Sequence, residues 1–238
     1  MTERRARGDR AIDRETRLAF SRRLRRWYRL HARDLPWRRT RDAYQILVSE
    51  LMLQQTQVSR VVTRYGEFLE QFPTLGHVAR AKQSHVAEAW DGLGYYARAR
   101  TLHRLAVEVT DGGREPDRAL PADPEALRSL PGIGAYTAGA VSSFAYERRS
   151  ALVDTNVARV LKRVFAPKAD VKTPKGQRAL WRIAESLLPR TGRATWTHNQ
   201  ALMELGALVC TARVAHCERC PVQPLCSTAA KQDRASAS

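Results

Sequence analysis

Four cysteines lie close together near the C-terminal end of the chain, at Cys210, Cys217, Cys220 and Cys226. Thiols clustered in this way predict a metal site, because the disulfides of a secreted protein join segments that are distant in sequence. By charge, four thiolates suit a zinc ion and a [4Fe–4S] cluster equally well. Structural zinc sites favour two C-x2-C pairs, whereas the segment 210–226 has one such pair with an isolated cysteine on each side.

Two carboxyl groups have surroundings that predict different protonation states. The first, Glu50, lies in the segment 43–72, where apolar residues recur at helical spacing on two faces. On such a helix a carboxyl group either is desolvated, which raises its pKa so that it holds a proton near neutral pH, or lies at the edge of the apolar stripe and reaches water. The periodicity leaves both possibilities open.

The second carboxyl group, Asp154, directly precedes a helical stripe that begins at Val157. N-capping is the commonest use of an aspartate at such a position. The helix dipole and the nearby N–H donors are expected to keep its carboxylate ionised. A protonated Glu50 and an ionised Asp154 would form the acid and anion pair with which base- and sugar-cleaving sites work.

A glycine-rich hairpin is predicted at positions 130–139, where the sequence is Leu-Pro-Gly-Ile-Gly-Ala-Tyr-Thr-Ala-Gly. Such a hairpin between two helices exposes backbone N–H groups around Gly132 and Gly134, at the N-terminus of the second helix. These donors suit a DNA phosphate. An ordinary glycine-rich helix end followed by a turn is the alternative.

The charge of the chain favours a polyanionic partner. Its 238 residues include 41 Lys and Arg against 24 Asp and Glu, a net charge of +17. We expect nucleic acid in preference to a membrane surface or a merely solvated basic face. No apolar run reaches the roughly 20 residues of a spanning helix, and the N-terminal residues lack the apolar core of a signal peptide. The expected location is the cytoplasm, in association with the nucleoid.

The elements that must position these residues are helical. A basic amphipathic helix is predicted from Glu15 to Arg33, ending before Pro36. Proline and glycine separate the later helical patterns at 72–73, 92–94, 111–113, 121–124 and 131–134. Neither an alternating strand pattern nor a fixed repeat is found. We therefore predict an all-α protein of short helices, with disordered tails at residues 1–14 and 229–238.

Together these motifs resemble the MutY-type adenine DNA glycosylases, which belong to the helix-hairpin-helix, iron–sulfur branch of the endonuclease III superfamily. The likeness extends over residues 35–227. The segments that carry it are Leu35–Arg38, Ser49–Val58, Gly92–Arg100, the hairpin at 130–139, Asp154-x-Asn156, Asn199-Gln200 with Leu205–Ala207, and the four cysteines, whose spacing is similar to that of the family's cluster loop.

The resemblance implies two helical lobes with a DNA-binding cleft between them. Residues 15–37 and 150–228 would form an iron–sulfur cluster lobe, and residues 38–149 a six-helix lobe that contains the hairpin. It also implies a [4Fe–4S] cluster held by the four cysteines. The implied partner is double-stranded DNA with a mismatch, bound by a monomer.

The resemblance also implies roles in base excision for individual residues. Glu50 would protonate N7 of a flipped adenine, Asp154 would stabilise the oxocarbenium-like sugar or bond to it transiently, and Asn156 would orient these groups. Tyr136 would lie beside the reacting sugar. Endonuclease III-type enzymes carry a nucleophilic lysine at that position, and the hairpin has none. Base excision without efficient strand cleavage is therefore expected.

Further residues match DNA-contacting positions of the family: Trp37, Arg38 and Gln200 in the adenine pocket, Gln55 and Tyr95 as wedges that enter the duplex as the base leaves, and Gly132 and Gly134 in the hairpin. Packing is the alternative for the aromatic side chains of Trp37, Tyr95 and Tyr136. A solvated helix position is the alternative for Gln55.

Two departures from the family pattern bear on the substrate. Thr155 stands where the family commonly has glycine, which predicts an altered backbone beside Asp154. Only residues 227–238 follow the last cysteine, too few for the domain with which MutY-type enzymes recognise 8-oxoguanine. Removal of adenine mispaired with guanine or 8-oxoguanine is the leading expectation. A thymine or uracil glycosylase acting on T:G or U:G mismatches, and a non-catalytic DNA-binding protein with a structural cluster, are the alternatives.

Overall fold

Helices form nearly all the regular structure of residues 12–115 and 118–230, the part of the chain described by this computed structural model. The α-helices are α1 (Arg14–His31), α2 (Ala43–Met52), α3 (Val58–Gln71), α4 (Leu75–Arg80), α5 (Gln83–Glu88), α6 (Ala97–Val109), α7 (Pro124–Arg128), α8 (Ala135–Tyr146), α9 (Thr155–Phe165), α10 (Pro174–Leu187) and α11 (Gly192–Leu208). Short 3-10 turns occupy Pro36–Arg38, Cys217–Arg219 and Gln223–Leu225. Within the described ranges the extended pairing is limited to an isolated bridge between Cys210 and Ala215, so the all-α prediction is confirmed.

Most helices begin where the sequence offers an N-cap. The side chains of Asp13, Asp42 and Asp123 each accept a hydrogen bond from a backbone N–H of the following turn, which satisfies donors that the helix itself leaves unpaired. Phe72 follows the last residue of α3 and precedes Pro73, a residue that cannot continue a helix.

The expectation of continuous helical pattern through residues 43–72 is wrong at its middle. Helix α2 ends at Met52 and α3 begins at Val58, with a turn between them in which Gln55 has φ of 57°. Gln55 is therefore not a helix position. Periodicity missed the break because no glycine or proline marks it.

The chain divides into two compact units. The cysteine unit comprises Met1–Ala32, Val153–Pro189 and Thr197–Ser238, and the hairpin unit comprises Arg33–Leu152 and Arg190–Trp196. Within the described residues the hairpin unit contains α2 to α8 and the first turn of α11, where six helices were expected. Residues 33–37, 150–152 and 190–196 were expected in the cluster lobe and lie in the hairpin unit.

Contacts within the hairpin unit explain this boundary. Trp37 packs edge-to-face on Tyr65 of α3, with ring centroids 5.5 Å apart. Gly139 of α8 approaches the Ala151 backbone so closely that an added Cβ would lie 2.1 Å from the carbonyl oxygen. Arg41 stacks over Trp196 at 4.4 Å. These contacts fix residues 33–41, 151 and 196 to the same core.

In the cysteine unit, α1 contributes the buried residues Phe20, Leu24 and Trp27. Phe20 meets Phe165 of α9 with ring centroids 5.0 Å apart. Most of each predicted tail, residues 1–11 and 231–238, lies outside the described residues. In the described part both tails are shorter than expected, because α1 begins at Arg14 and Ala229 is buried. None of the described helices is long and apolar enough to span a membrane.

Candidate active site and cysteine cavity

The carboxyl group of Glu50 lies in the core of the hairpin unit. Its helix, α2, is buried along nearly its whole length, and Glu50 itself is 3% exposed. This burial answers the question that periodicity left open: the carboxyl group does not reach water along the edge of the helix. The Tyr136 hydroxyl, in the first turn of α8, donates a hydrogen bond of 2.7 Å to Glu50 Oε2. Both residues were predicted from the sequence, but their bond was not.

The hairpin that carries Tyr136 has the predicted form. Helix α7 ends at Arg128 and α8 begins at Ala135. Gly132 has φ of 73°, a left-handed conformation that glycine adopts without strain. Gly132 and Gly134 are exposed, whereas Ile133 between them is buried. Gly134 is the N-cap of α8 and supplies no side-chain acceptor, so a bound anion could accept from the first N–H groups of this helix.

Asp154 is the N-cap of α9 in the cysteine unit. Its carboxylate accepts hydrogen bonds from the Val157 backbone N–H at 2.7 Å and from Asn156 Nδ2 at 3.0 Å. The expectation that this environment keeps its pKa low is wrong. Burial raises the pKa of Asp154 above its ordinary value, and the hydrogen bonds from Val157 and Asn156 offset that rise only in part. Desolvation outweighs the helix-terminal donors here.

Thr155 causes no visible disturbance beside Asp154. It is the first residue of α9 and is not among the described non-glycine residues with positive φ. Because its backbone is helical, a side chain is tolerated at this position, and the difference from a glycine there stays a prediction.

Arginine side chains of α9 join Asp154 to the cysteine segment. Arg159 Nη2 donates to Asn156 Oδ1 at 2.6 Å and to the Gly206 carbonyl at 2.7 Å, and its Nε donates to the Cys210 carbonyl at 2.7 Å. One turn later, Arg163 Nη1 contacts Cys210 Sγ at 3.2 Å. No sequence motif distinguishes these arginines, although both follow Asn156 at helical spacing.

The four cysteines line one cavity of about 290 Å³, and all four are unpaired and half-buried. Apolar side chains (Val160, Val164, Leu205, Val209 and Val222) and polar or charged ones (Arg163, Arg213, His216, Gln223 and Thr228) also line it. Among the residues that the structure describes, no three His, Cys, Asp or Glu side chains are grouped as they would be around a single metal ion. Burial, opposed by a backbone hydrogen bond and reinforced by the neighbouring thiols, raises the pKa of Cys220 to about 11.

The remaining predicted residues divide into buried and exposed positions. Trp37 is buried in its 3-10 turn, and Gln200 is buried in α11. Arg38 is half-buried and donates to the Arg33 carbonyl at 2.9 Å. In contrast, Gln55 and Tyr95 are exposed on loops, and both have positive φ, 57° and 49°.

Comparisons with known proteins agree with this architecture. Residues 48–186 match the family model described as "HhH-GPD superfamily base excision DNA repair protein". The chain is 48% identical over 197 residues to an adenine DNA glycosylase of Mycolicibacterium smegmatis, covering 82% of this chain and 65% of that protein. It is 43% identical over 219 residues to the adenine DNA glycosylase of Rattus norvegicus, covering 87% of this chain and 41% of the relative. The chain thus spans less than two thirds of these relatives.

Solved structures share the fold. A thermostable thymine-DNA glycosylase superposes with a TM-score of 0.81 at 31% identity, over 91% of this chain and 98% of that one. A trapped covalent complex of endonuclease III with DNA superposes with a TM-score of 0.72 over 92% of this chain and 99% of that one. Its identity of 22% makes it a likeness of fold alone.

Proposed function

This chain belongs to the HhH-GPD superfamily of base excision DNA repair proteins, and from that premise we propose that it hydrolyses the N-glycosidic bond of adenine mispaired with guanine or 8-oxoguanine in DNA. The observation that carries the proposal is its identity of 43–48% with proteins named adenine DNA glycosylase. Among the catalytic groups of the proposed reaction, Glu50 and Asp154 are the acid and the anion.

Glu50 is the proposed general acid, which protonates N7 so that adenine leaves as a neutral base. Burial disfavours the charged form of a carboxyl group, and Glu50 is 3% exposed. The Tyr136 hydroxyl holds one carboxyl oxygen at 2.7 Å and thereby limits how the group can turn. Because a phenol replaces the imine-forming lysine, the proposed enzyme removes the base without an efficient strand-cleaving step.

Asp154 is the proposed anion that stabilises the positive charge on the sugar. Its two hydrogen bonds fix the carboxylate at the start of α9. Asn156 donates one of them and is itself held by Arg159, so the orientation of Asp154 depends on that arginine. A water molecule completes the hydrolysis in this scheme by adding to the sugar carbon that the base has left.

The proposed partner is double-stranded DNA with a mismatch, bound by a monomer at the nucleoid in the cytoplasm. The net charge of +17 and the exposed N-terminus of α8 at Gly132 and Gly134 support binding to the phosphate backbone. Gln55 and Tyr95 are exposed and are the proposed wedges. Trp37, Arg38 and Gln200 are the proposed contacts to the base.

The four cysteines are proposed to hold a [4Fe–4S] cluster. The fit rests on the donor set: the four cysteines line one cavity of about 290 Å³, and four thiolates are the usual ligands of a [4Fe–4S] cluster. A cluster there would join the two ends of the segment 210–226 and would take no part in breaking the glycosidic bond. Purified protein should be brown and absorb broadly near about 400 nm. A colourless protein with one zinc per chain would contradict this assignment.

A second candidate, removal of thymine or uracil from mismatches with guanine, is favoured by the likeness to the thermostable thymine-DNA glycosylase, which this chain covers almost completely. The test is incubation with duplexes carrying A:8-oxoguanine, A:G, T:G and U:G, followed by alkali to cleave abasic sites. Cleavage only at thymine or uracil would replace the adenine proposal. Tight binding without any cleavage would point to the non-catalytic alternative.

The role of Glu50 is tested with the same duplexes. Single-turnover rates of Glu50→Gln should fall by several orders of magnitude, because the amide cannot donate the proton, while binding to the duplex persists. A rate close to that of the unaltered protein would remove Glu50 from the mechanism.

A further inference from the structure

Arg98 is a buried cation whose partners are mostly backbone carbonyl groups. It lies in the first turn of α6 and is 8% exposed. None of its described hydrogen bonds goes to a carboxylate. A cation is disfavoured at the N-terminal end of a helix, and burial lowers the pKa of Arg98. Placing the Arg98 guanidinium here therefore costs free energy, which its hydrogen bonds must offset.

Those hydrogen bonds reach two loops that are distant in sequence. At the C-terminal end of α2 and in the turn after it, Arg98 Nη1 donates to the carbonyls of Leu51 at 2.8 Å, Met52 at 2.9 Å and Gln54 at 2.5 Å. Toward the loop before α6, Nη2 donates to the carbonyls of Leu93 at 3.0 Å and Gly94 at 2.8 Å. One guanidinium group thus holds both loops.

The Thr56 hydroxyl joins the same two loops directly. It accepts from Arg98 Nη2 at 3.2 Å and lies 3.2 Å from the Leu93 carbonyl, to which it donates. The turn after α2 can therefore move relative to the loop before α6 only if the hydrogen bonds of Arg98 and the bond from the Thr56 hydroxyl to the Leu93 carbonyl break.

Each of these loops presents one exposed side chain from a left-handed backbone. Gln55 has φ of 57°, and Tyr95 has φ of 49° with its side chain 59% exposed. Non-glycine residues keep such conformations only where the surroundings fix them. The Arg98 guanidinium also lies 5.5 Å from the centroid of the Tyr95 ring. The group that fixes both backbones is thus in contact with one of the exposed side chains.

We propose that Arg98 is a positioning residue that fixes Gln55 and Tyr95 as a single wedge, so that both side chains enter the duplex together when the target base leaves the helix. This inference rests on the proposed function for the wedge, but the clamping of the two loops does not depend on it. The planar guanidinium matters, because its five donors can serve both loops at once, whereas a lysine has three donors on one atom.

The first test measures the loops in the free protein, without DNA. Amide hydrogen exchange in segments 53–57 and 91–96 should speed up together, by about tenfold or more, in Arg98→Lys. Thr56→Val should give a smaller change in both segments. Arg80→Lys is the matched control, because Arg80 is exposed and belongs to the same unit. Faster exchange in one segment only, or in neither, would overturn the proposal even if the protein proves inactive on DNA.

The second test separates positioning from general loss of structure. A 2-aminopurine placed beside an A:8-oxoguanine pair reports unstacking by its fluorescence, and the rise should be about tenfold slower for Arg98→Lys. In a Gln55→Ala, Tyr95→Ala background the same change at Arg98 should have almost no further effect, because the wedge is already absent. An equal loss in both backgrounds would mean that Arg98 supports only the fold. Thermal unfolding of each variant checks that the proteins compared are folded.

Discussion

Replacing Gly206 by alanine should slow catalysis about a hundredfold while the protein remains folded. Gly206 lies in α11, where it faces the first turn of α9. A Cβ at this position would lie 2.7 Å from Asn156 Cβ and 3.0 Å from the Asn156 carbonyl oxygen. Carbon atoms in contact are normally about 3.5–4.0 Å apart, so the start of α9 must retreat by about 1 Å. The atoms met include backbone, and no side-chain rotation can relieve the contact.

This displacement of α9 disturbs the hydrogen bonds on which the orientation of Asp154 depends. Arg159 Nη2 donates both to Asn156 Oδ1 at 2.6 Å and to the Gly206 carbonyl at 2.7 Å, and these two bonds cannot both survive the separation. A misplacement of about 1 Å can cost on the order of a hundredfold in rate. The free energy of unfolding should fall by at most about 3 kcal/mol, because overpacking costs about 1–3 kcal/mol and the higher helix propensity of alanine returns up to about 1 kcal/mol.

The measurement is the single-turnover rate of base release from an A:8-oxoguanine duplex with protein in excess, together with the free energy of unfolding in urea and the iron content. Gly66→Ala is the matched control: Gly66 lies in α3 with nothing within 4 Å of the added Cβ, so this variant should be slightly more stable and fully active. A folded Gly206→Ala protein with normal iron content and an unchanged rate would refute the link from α11 through Asn156 to Asp154.

Three further predictions follow from the titratable groups of both units. Because burial raises the pKa of Asp154 and the anion is the active form, the single-turnover rate should fall toward acid with an apparent pKa above 3.8, and Asn156→Ala should move this limb to higher pH. Burial, with a smaller contribution from the charge of Arg25, lowers the pKa of His198 to about 3. Since the unfolded chain binds a proton at this histidine below pH 6.5 and the folded protein does not, the free energy of unfolding should fall by up to about 5 kcal/mol as the pH falls from 6.5 toward 3. Urea unfolding of His198→Asn should show a flatter dependence over that range. Tyr136→Phe, which removes the donor to Glu50, should slow base release about tenfold or more without weakening DNA binding.

Each of these predictions has an outcome that contradicts it. An acid limb at or below the ordinary aspartate pKa would mean that the helix-terminal donors do dominate at Asp154. Equal pH dependence of unfolding for the unaltered protein and His198→Asn would place the acid sensitivity elsewhere. A Tyr136→Phe protein with a normal rate would leave the hydroxyl without a role in orienting Glu50.

The helices were predictable because their ends are marked in the sequence. Aspartates stand at several N-caps. Proline or glycine follows within three residues of the ends of α3, α6, α7, α9 and α10. The turn between α2 and α3 has neither signal, so the pattern predicts a continuous helix across the left-handed residue Gln55. What sets that turn is Arg98, a residue more than forty positions later, and no local pattern carries that information.

The sequence predicts candidate site residues, but it does not predict the electrostatics of the carboxyl group of Asp154. A motif identifies Asp154 as an N-cap, yet its pKa depends on how much protein surrounds the carboxyl group, and that is a property of packing. The arginines that hold the loops and the Asp154 region could not be predicted from the sequence for a different reason. In a chain with 41 Lys and Arg, Arg98, Arg159 and Arg163 look like the rest of the basic surface, and their partners are mainly backbone carbonyls that carry no sequence signal.

The cysteine unit is built from both ends of the described chain, and this bears on the order in which the protein can fold during synthesis. Residues 33–152 can begin to collapse on their own core while later residues are still being translated. Until α9 emerges, Phe20 of α1 lacks Phe165, its aromatic neighbour in the finished unit. The four cysteines are translated later still, so the proposed [4Fe–4S] cluster could be inserted only after helices α1 to α11 have been synthesised.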